Sequence, residues 1–340
     1  MKRRGVPILE DVAAAVGVSK STASRAFSHP QRLTADTVKR VRDAAERLGY
    51  RPNQLARALS TGRQGNVAIV VPDIANPFFP PIIRAAQRFA DNAGFGVFIG
   101  DAADSAAKEF DLASRLAPQI EGLILASSRM SPQKIRQIAK LRPTVLVNRD
   151  VQGLSRVLID PTDGLDQAVA MLAQQRHRHV LYVSGPAVSW SDQRRRAALH
   201  DASEKYGIKV QVISDIEPTL EGARAAIGEV LDSGSSAAIA FDDFIAQGLL
   251  VGASERGVSI PGAFSVIGFD DVLGASTYPA LTSVRAPNAE AGTCAMRLLL
   301  EELQAGSSAK SRCVTLNTEL VERGTTAPSQ VQQASLKTDA

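Results

Sequence analysis

The chain has 340 residues, of which 44% are apolar and 5% aromatic, so it is long enough for one small domain and one larger one. No run of about 18 apolar residues occurs in the sequence, which excludes a membrane-spanning helix. The basic N-terminus reaches Glu10 and Asp11 before any apolar stretch of signal-peptide length. We therefore expect a cytoplasmic protein.

The net charge of +4 is distributed unevenly along the chain. Residues 1–63 carry 13 Lys or Arg against five Asp or Glu, a net of +8, whereas the remaining residues have a net of −4. A concentrated positive charge favours a polyanionic partner, and DNA fits best because neutralised phosphates release condensed counterions. A solvated basic tail has the same charge, so the residue pattern of this segment has to decide.

The first fifty residues have the pattern of three short helices. Apolar residues recur at helical spacing from Ile8, and Gly17 ends this first helix. Ser19 caps a second helix, and Thr34 caps a third. Two helices joined by a short glycine-containing turn predict an all-α helix-turn-helix domain over residues 1–50.

The second of these helices is the expected DNA reader, because the recognition helix of this motif enters the major groove. Arg25 is the candidate for a bidentate guanine contact; a solvated helix-face charge is the alternative. Lys20 suits a guanine or a phosphate contact, with Ser21 beside it on the outward face. Thr22 suits a phosphate contact or a packing role.

Residues 51–64 predict a short hinge helix and linker, with Asn53 as the helix cap. An isolated helix of two turns is marginal in water, so it needs DNA or the same segment of a second subunit as a partner. Leu59 lies on its apolar side and is a candidate wedge between base steps in the minor groove.

From Gly65 onward, short apolar runs alternate with amphipathic helical stretches, which is typical of parallel sheets covered on both faces. Seven runs exceed one small sheet, so we expect an α/β ligand domain of two doubly wound parallel-sheet lobes over residues 65–327. The tail, 328–340, has no apolar period and is expected to be disordered. The predicted strands are 67–71, 97–99, 122–125, 144–147, 180–183, 237–241 and 265–269.

Ligands of such sheets bind beyond the carboxyl ends of the strands. Amides, guanidiniums and carboxylates that converge there with aromatic rings suit a polyhydroxy ligand. The alternative for each residue is a helix cap or a turn position. The candidates that follow the predicted strands are Asn76, Phe78, Phe79, Asn148, Arg149, Trp190, Arg195, Asp242 and Asp270.

Several segments resemble the lactose/galactose repressor family. The resemblance to its DNA-binding domain rests on residues 8–13, 17–19, 22–25, 51–53 and 56–59. It implies that 53–60 is the family's hinge helix, folded only on operator DNA, with Asn53, Arg57 and the intercalating Leu59 as contacts. Ser28 stands where the family usually has Asn.

The resemblance continues into the ligand domain, where it implies a fold similar to periplasmic sugar-binding proteins. It rests on residues 75–79, 184–186, 241–243, 268–271 and 279–283. Ribose-binding members imply Phe78 and either Trp190, followed by Ser191, or Ile216 against a furanose-like ring. They also imply Arg149, Arg195 and Asp270 on its hydroxyls. Asp242 replaces the commoner Asn, and Asn148 the commoner Asp, so ribose, a related pentose and a nucleoside all remain candidate effectors.

These observations predict a homodimeric repressor of a carbohydrate operon that binds a palindromic operator and responds to a small effector. A transcriptional activator of the same family is one alternative. A solute-binding protein of a transporter is another, and the basic helix-turn-helix argues against it.

Motifs typical of enzymes are missing from the sequence. Residues 94–96 place glycines between a helix and a strand, the reverse of a nucleotide-binding fingerprint, and phosphate-loop and nucleophile-elbow sequences are missing. We interpret His177 and His179 as a turn residue and a surface contact. Cys294 and Cys313 are expected to be reduced, mostly buried thiols. We therefore expect no catalysis, cofactor or metal.

Overall fold

The computed structural model of the chain describes residues 7–28, 30–50, 64–214, 216–308 and 310–330. The predicted hinge contacts Asn53, Arg57 and Leu59 lie outside these residues, as does the part of the predicted tail after residue 330. The chain divides into two compact units, with the boundary between Asn66 and Val67.

The N-terminal unit contains three helices whose ends follow local chemistry. Gly17 ends the first helix with a φ of 72°, a left-handed conformation that glycine adopts without steric cost. The Thr34 hydroxyl accepts the Thr37 N–H at 3.3 Å and caps the third. Val12 and Val41 are fully buried between the helices. The helices are α1 (Leu9–Val16), α2 (Lys20–Ser28) and α3 (Ala35–Leu48).

The second unit is built from two six-stranded sheets with helices on their faces. The strands are β1 (Asn66–Val71), β2 (Gly96–Asp101), β3 (Gly122–Ala126), β4 (Thr144–Val147), β5 (Ser155–Asp160), β6 (His179–Val183), β7 (Lys209–Ile213), β8 (Ala237–Ala240), β9 (Ser265–Asp270), β10 (Thr282–Arg285), β11 (Cys313–Asn317) and β12 (Glu319–Val321). The helices are α4 (Phe79–Asn92), α5 (Ala106–Leu116), α6 (Pro132–Leu141), α7 (Thr162–Gln174), α8 (Trp190–Tyr206), α9 (Leu220–Ala225), α10 (Ile227–Asp232), α11 (Asp243–Glu255) and α12 (Asn288–Ala305).

Lobe 1 contains the sheet ordered β11-β5-β4-β3-β1-β2, and lobe 2 the sheet ordered β12-β10-β9-β8-β6-β7. The predicted two-lobe architecture is confirmed. The strands pair in parallel except at one edge of lobe 2, where β12 pairs antiparallel with β10. The chain passes between the lobes after β5, after β10, and again between β11 and β12.

Apolar side chains fill both faces of each sheet. All of β3 and β8 is buried, as expected for strands covered by helices on both sides. Helices α4 and α12 cross closely at Gly292. A Cβ at this position would lie only 2.1 Å from the Ile82 carbonyl oxygen, so the crossing requires glycine. In the described part of the chain, no helix combines the length and apolarity needed to cross a membrane.

Two expectations for individual side chains need correction. Cys294 is buried, but Cys313 is exposed, because it lies on the edge strand β11. His177 lies just after the turn that follows α7 rather than in it, and it is buried: its ring nitrogens lie 2.7 Å from the Ser236 hydroxyl and 3.0 Å from the Ala327 carbonyl oxygen. Burial lowers the pKa of His177, so the ring is neutral at pH 7.

Candidate functional site

Helix α2 of the N-terminal unit has a polar, basic side. Lys20, Ser21 and Arg25 are exposed on it, whereas Ala23 and Ala26 are buried on the opposite side. A recognition helix needs this arrangement, because one side packs on its own domain and the other contacts base edges.

The other predicted contacts on α2 have partners within the helix region. The Thr22 N–H donates to the Ser19 hydroxyl at 3.0 Å, so Thr22 belongs to the N-terminal cap of the helix. The Ser28 hydroxyl donates to the carbonyl oxygen four residues earlier at 3.0 Å. Lys20 forms an exposed ion pair with Glu10 of α1, and the hydrogen bond from Lys20 lowers the pKa of Glu10.

In the second unit, a cavity lies where the carboxyl ends of the two sheets meet. Its empty volume is about 350 Å³, including its open mouth. Eight of the predicted effector residues line it. The lining residues are Asn76, Phe78, Phe79, Ser127, Arg129, Asn148, Ser189, Ser191, Arg195, Phe241, Asp242 and Asp270.

On the lobe-1 side, the parallel register sets Ser127 beside Asn148. Ala126 pairs with Val147, and the Ser127 N–H donates to the Val147 carbonyl at 2.7 Å. Ser127 and Asn148 both have positive φ, 48° and 50°, a conformation that costs non-glycine residues about 1–3 kcal/mol. The Asn148 Oδ1 accepts the Ile159 N–H at 2.9 Å, which leaves its amide nitrogen for a ligand.

Asn76 and the two phenylalanines form the rest of the lobe-1 wall. The Asn76 Oδ1 accepts the Phe78 N–H at 2.9 Å and starts the turn into α4. The rings of Phe78 and Phe79 meet edge to face with centroids 5.0 Å apart, and both are largely buried. They supply an apolar surface on which the face of a sugar ring can pack.

On the lobe-2 side, Arg195 is held between two aromatic rings. Its guanidinium carbon lies 3.6 Å from the Phe269 ring centroid and 4.3 Å from that of Phe241. Its Nη2 donates to Asp270 Oδ1 at 3.1 Å, and its Nη1 donates to the Phe241 carbonyl. Gly185 is required beside this stack, because a Cβ there would lie 2.5 Å from the Phe241 ring.

Asp192 fixes the loop that precedes α8. Its carboxylate accepts hydrogen bonds from the Tyr182 hydroxyl and the Gly185 N–H, both at 2.9 Å, and from Arg196 Nε at 2.6 Å. Asp192 is buried, so these donors compensate its desolvation. These bonds hold the first turn of α8 in place, and Arg195 lies on the second turn of the same helix.

Asp242 and Asp270 are both buried carboxyl groups, each 4% exposed. The Asp242 Oδ1 accepts the Ile245 N–H at 2.8 Å as the cap of α11. Burial raises the pKa of Asp242 and raises that of Asp270 well above its usual range, while Arg195 opposes both shifts. A carboxyl group that gains a proton here becomes a donor as well as an acceptor, which suits ligand hydroxyls.

The adjacent aspartates, Asp243 and Asp271, have structural partners. The Asp243 carboxylate accepts the Ser283 hydroxyl at 2.5 Å and the N–H groups of Val272 and Leu273 at 2.8 and 3.0 Å. Asp271 pairs with Arg285. These contacts tie the end of β9 to β10 and α11.

Three predicted effector residues do not line the cavity. The Arg149 guanidinium turns away and donates from Nη2 to the Met130 carbonyl at 2.9 Å. Trp190 begins α8 and is half-buried, whereas Ser189 and Ser191 on either side of it line the cavity. Ile216 is 8% exposed and packs in the apolar cluster of lobe 2.

Four lining residues escaped the sequence reasoning: Ser127, Arg129, Ser189 and Phe241. Ser127 and Arg129 follow β3, so they could have been predicted from the rule that ligands bind beyond the carboxyl ends of the strands. Ser189 is the cap of α8, with its hydroxyl accepting the Asp192 N–H at 3.3 Å. Phe241 directly follows β8.

Two family models match the chain. The model of bacterial regulatory proteins of the lacI family matches residues 8–53, and that of a periplasmic binding protein-like domain matches residues 169–326. The HTH-type transcriptional repressor CytR of Escherichia coli strain K12 is 32% identical over 336 residues, which is 96% of this chain and 98% of that protein. The chain belongs to the lacI family of bacterial regulatory proteins.

Other members of the lacI family extend this result. The HTH-type transcriptional regulator GalS of Salmonella typhimurium is 32% identical over 302 residues, 86% of this chain and 89% of that protein. The lac repressor dimer bound to operator and the anti-inducer ONPF superposes with a TM-score of 0.83 over 95% of this chain and 100% of that one; at 22% identity it shows the fold. A lacI family regulator from Enterococcus faecalis with bound ribose is 29% identical, with a TM-score of 0.70 over 78% of this chain and 100% of that one.

Membership of the lacI family confirms the resemblance and the fold class expected from the sequence. The relatives named above are transcriptional regulators rather than enzymes. The helix-turn-helix model covers α1 to α3, and the periplasmic-type model covers most of lobe 2, including Arg195, Asp242 and Asp270.

Proposed function

We propose that this lacI family member is a homodimeric transcriptional repressor of a carbohydrate operon, whose affinity for a palindromic operator changes when a sugar or nucleoside binds the interlobe cavity. The observation that carries the proposal is the cavity itself. It combines two guanidiniums, two buried carboxyl groups, two amides and three phenylalanine side chains from two lobes.

The roles of the cavity residues follow from their contacts. Arg195, Asp242 and Asp270 bind ligand hydroxyls, because a guanidinium and two carboxyl groups provide paired donors and acceptors. Asn76 and Asn148 supply amide groups from lobe 1, and Phe78 packs on the ring face. Ribose, a related pentose or a nucleoside fits this set, and the E. faecalis relative with bound ribose supports it.

For DNA binding, we assign base contacts to Lys20, Ser21 and Arg25 on α2, with Thr22 and Ser28 near phosphates. Asn53, Arg57 and Leu59 are proposed as hinge contacts on the grounds of sequence alone. Operator binding requires a cytoplasmic location.

Dimerisation is supported by the edges of the two sheets. Phe98 and Ile99 on edge strand β2 are 40% and 43% exposed, and Val212 on edge strand β7 is 40% exposed. Exposed apolar side chains on edge strands mark surfaces that gain by pairing with another chain. Effector binding that changes the distance between lobes in such a dimer would shift operator affinity by about 5- to 150-fold.

Thermal melting of the purified full chain with pentoses, hexoses, nucleosides and their phosphates tests the effector assignment. A ligand far above its dissociation constant raises the melting temperature by mass action, and we expect ribose or a nucleoside to do so. Operator titration with the active compound then gives the sign of the response. A panel without any shift contradicts the sugar or nucleoside assignment, while operator binding tests the repressor assignment independently.

A further inference from the structure

Arg129 lines the cavity on the lobe-1 side, whereas Arg195 lines it on the lobe-2 side. It follows β3 and precedes α6, its side chain is 9% exposed, and it contributes to the cavity lining. None of the roles proposed above uses it.

The Arg129 side chain is held in a fixed orientation. Its Nε donates to Asp104 Oδ1 at 2.8 Å, and its Nη1 donates to the Ser127 carbonyl at 3.1 Å. Its backbone N–H donates to Glu109 Oε2 at 2.9 Å, and Glu109 is buried beneath the loop. Within the described part of the chain, Nη2 of Arg129 has no hydrogen-bond acceptor. The guanidinium is therefore prepared to donate to a ligand.

Arg149 is the other arginine near this wall, and its contacts differ. Its Nη2 donates to the Met130 carbonyl oxygen, and its Nε is buried without a hydrogen-bond partner among the described residues. It does not line the cavity. Arg129, rather than Arg149, is therefore the lobe-1 arginine that lines the cavity.

The two walls of the cavity differ in hydrogen-bonding character. Among the described lining residues on lobe 1, Arg129 and Asn148 present N–H donors, the Asn76 amide donates to Asp242, and none is a carboxylate. The carbonyl oxygens of both asparagines already accept backbone N–H groups. The carboxyl groups of Asp242 and Asp270 are on lobe 2. A ligand that directs acceptors towards Arg129 and Asn148 and hydroxyl donors towards the two carboxyl groups therefore suits both walls.

We propose that Arg129 determines effector specificity by binding a carbonyl or carboxylate oxygen of a polyhydroxy ligand, such as a sugar lactone or sugar acid, at the lobe-1 wall. An oxygen without a proton accepts from Arg129 and Asn148 without placing a hydroxyl hydrogen against these donors. This inference rests on the proposed function, because it assumes that the cavity binds a sugar-like effector.

Three related probes isolate this contact: D-ribose, D-ribono-1,4-lactone and D-ribonate, which differ at C1. Isothermal titration of the full chain with each is expected to give a dissociation constant for the lactone or for ribonate about tenfold or more below that for ribose. The comparison between lactone and ribonate separates a carbonyl from a carboxylate. Arg129→Gln should reduce the preference to about threefold or less, and Arg129→Lys should retain part of it for ribonate.

Arg115→Gln is the matched control, because Arg115 is also a lobe-1 arginine in an ion pair, with Asp111, and is exposed on α5. It should keep the full preference. Melting of each unliganded variant checks that the fold is intact. The inference is overturned if Arg129→Gln keeps the preference, if Arg149→Gln loses it instead, or if ribose binds wild type most tightly.

The outcomes also separate this inference from the proposed function. If none of the three probes binds but another sugar or nucleoside does, the role of Arg129 is wrong and the proposed function stands. If no sugar or nucleoside binds at all, both fall. Binding of the lactone to wild type with loss of the preference in Arg129→Gln supports both.

Discussion

The Asn76 amide nitrogen donates a hydrogen bond to Asp242 Oδ2 at 3.0 Å, from the end of β1 in lobe 1 to the cap of α11 in lobe 2. This bond joins the two lobes across the cavity with protein atoms alone. An entering ligand has to replace or include it, so it links cavity occupancy to the separation of the lobes.

Asn76→Asp is expected to open the cavity at high pH. The new carboxylate still accepts the Phe78 N–H but faces Asp242 at hydrogen-bond distance, where two like charges repel. As the pH falls, one of the two carboxyls takes up a proton and the contact is restored. Small-angle X-ray scattering should give a larger radius of gyration than wild type at pH 8 and a smaller difference at pH 5. Identical radii at both pH values would contradict the linking role of Asn76.

Arg195→Ala should abolish the rise in melting temperature caused by the effector. The change removes the guanidinium that contacts Asp270 and stacks on Phe269. Operator binding measured by gel shift should persist, because the helix-turn-helix is a separate unit. Arg194→Ala removes an exposed arginine of the same helix and should keep the ligand response. An intact response in Arg195→Ala would remove Arg195 from the site.

The stability of the ligand domain should decrease as the pH rises from about 4 to 6. Burial, with a contribution from Asp242, raises the pKa of Asp243 to about 6. In this range the folded state keeps a proton that the unfolded chain has released, so the free energy of unfolding falls as pH rises. Asp243→Asn should flatten this slope in calorimetry.

Asp243→Asn also loses an acceptor for its buried donors, so its melting temperature should be lower at every pH, and the slope is the informative quantity. Asp232→Asn, an exposed carboxylate at the end of α10, is the control and should leave the slope unchanged. A slope in Asp243→Asn equal to that of wild type would assign the pH dependence to other groups.

Two substitutions on α2 should separate base reading from phosphate binding. Arg25→Ala should cost about 1–3 kcal/mol of discrimination between operator and mismatched DNA, because a bidentate guanine contact is lost. If Lys20 binds phosphate, Lys20→Ala should weaken binding to all sequences. The slope of the logarithm of the binding constant against the logarithm of the salt concentration should then fall in magnitude by about one. Fluorescence anisotropy with specific and random duplexes at several salt concentrations measures both. Equal losses on the two duplexes for Arg25→Ala would make Arg25 a phosphate contact, and no loss on either would make it a solvated charge.

Leu59→Ala should weaken binding to the operator much more than binding to random DNA. A leucine wedge acts only where the duplex is kinked, whereas random DNA is bound through phosphates. The same anisotropy assay tests this expectation. Equal weakening on both duplexes would defeat the assignment of Leu59 to the hinge.

The sequence predicts the buried strands well and the edge strands poorly. All seven apolar runs are strands, and six of them are largely buried; the exception is the run 97–99 on edge strand β2, where Phe98 and Ile99 are exposed. Strands β7 and β11 lie at sheet edges, where Lys209 and Cys313 are exposed and no continuous apolar run is needed. In β5, buried and half-buried residues alternate, and Arg156 interrupts the apolar pattern.

The candidate site shows the same limit at the level of single side chains. Asn148 and Arg149 both follow β4, and the sequence predicts both as ligand contacts. The backbone leaves the strand with a positive φ at Asn148, so the next side chain turns towards Met130 instead of the cavity. Local sequence does not specify this turn, since it depends on the pairing of Asn148 with Ile159 on the neighbouring strand.

The crossing between β11 and β12 has a consequence for biosynthesis. Only Thr318 separates the strand that completes the sheet of lobe 1 from the strand that completes the sheet of lobe 2. The lobe-1 sheet lacks its sixth strand until Asn317 has left the ribosome, and the lobe-2 sheet lacks its sixth until Val321 has done so, whereas α1 to α3 are complete by residue 48. Because domains fold as units from the N-terminus during synthesis, the reading head forms co-translationally and the effector response is acquired last. A nascent or prematurely terminated chain would therefore be a DNA-binding fragment that no effector can regulate.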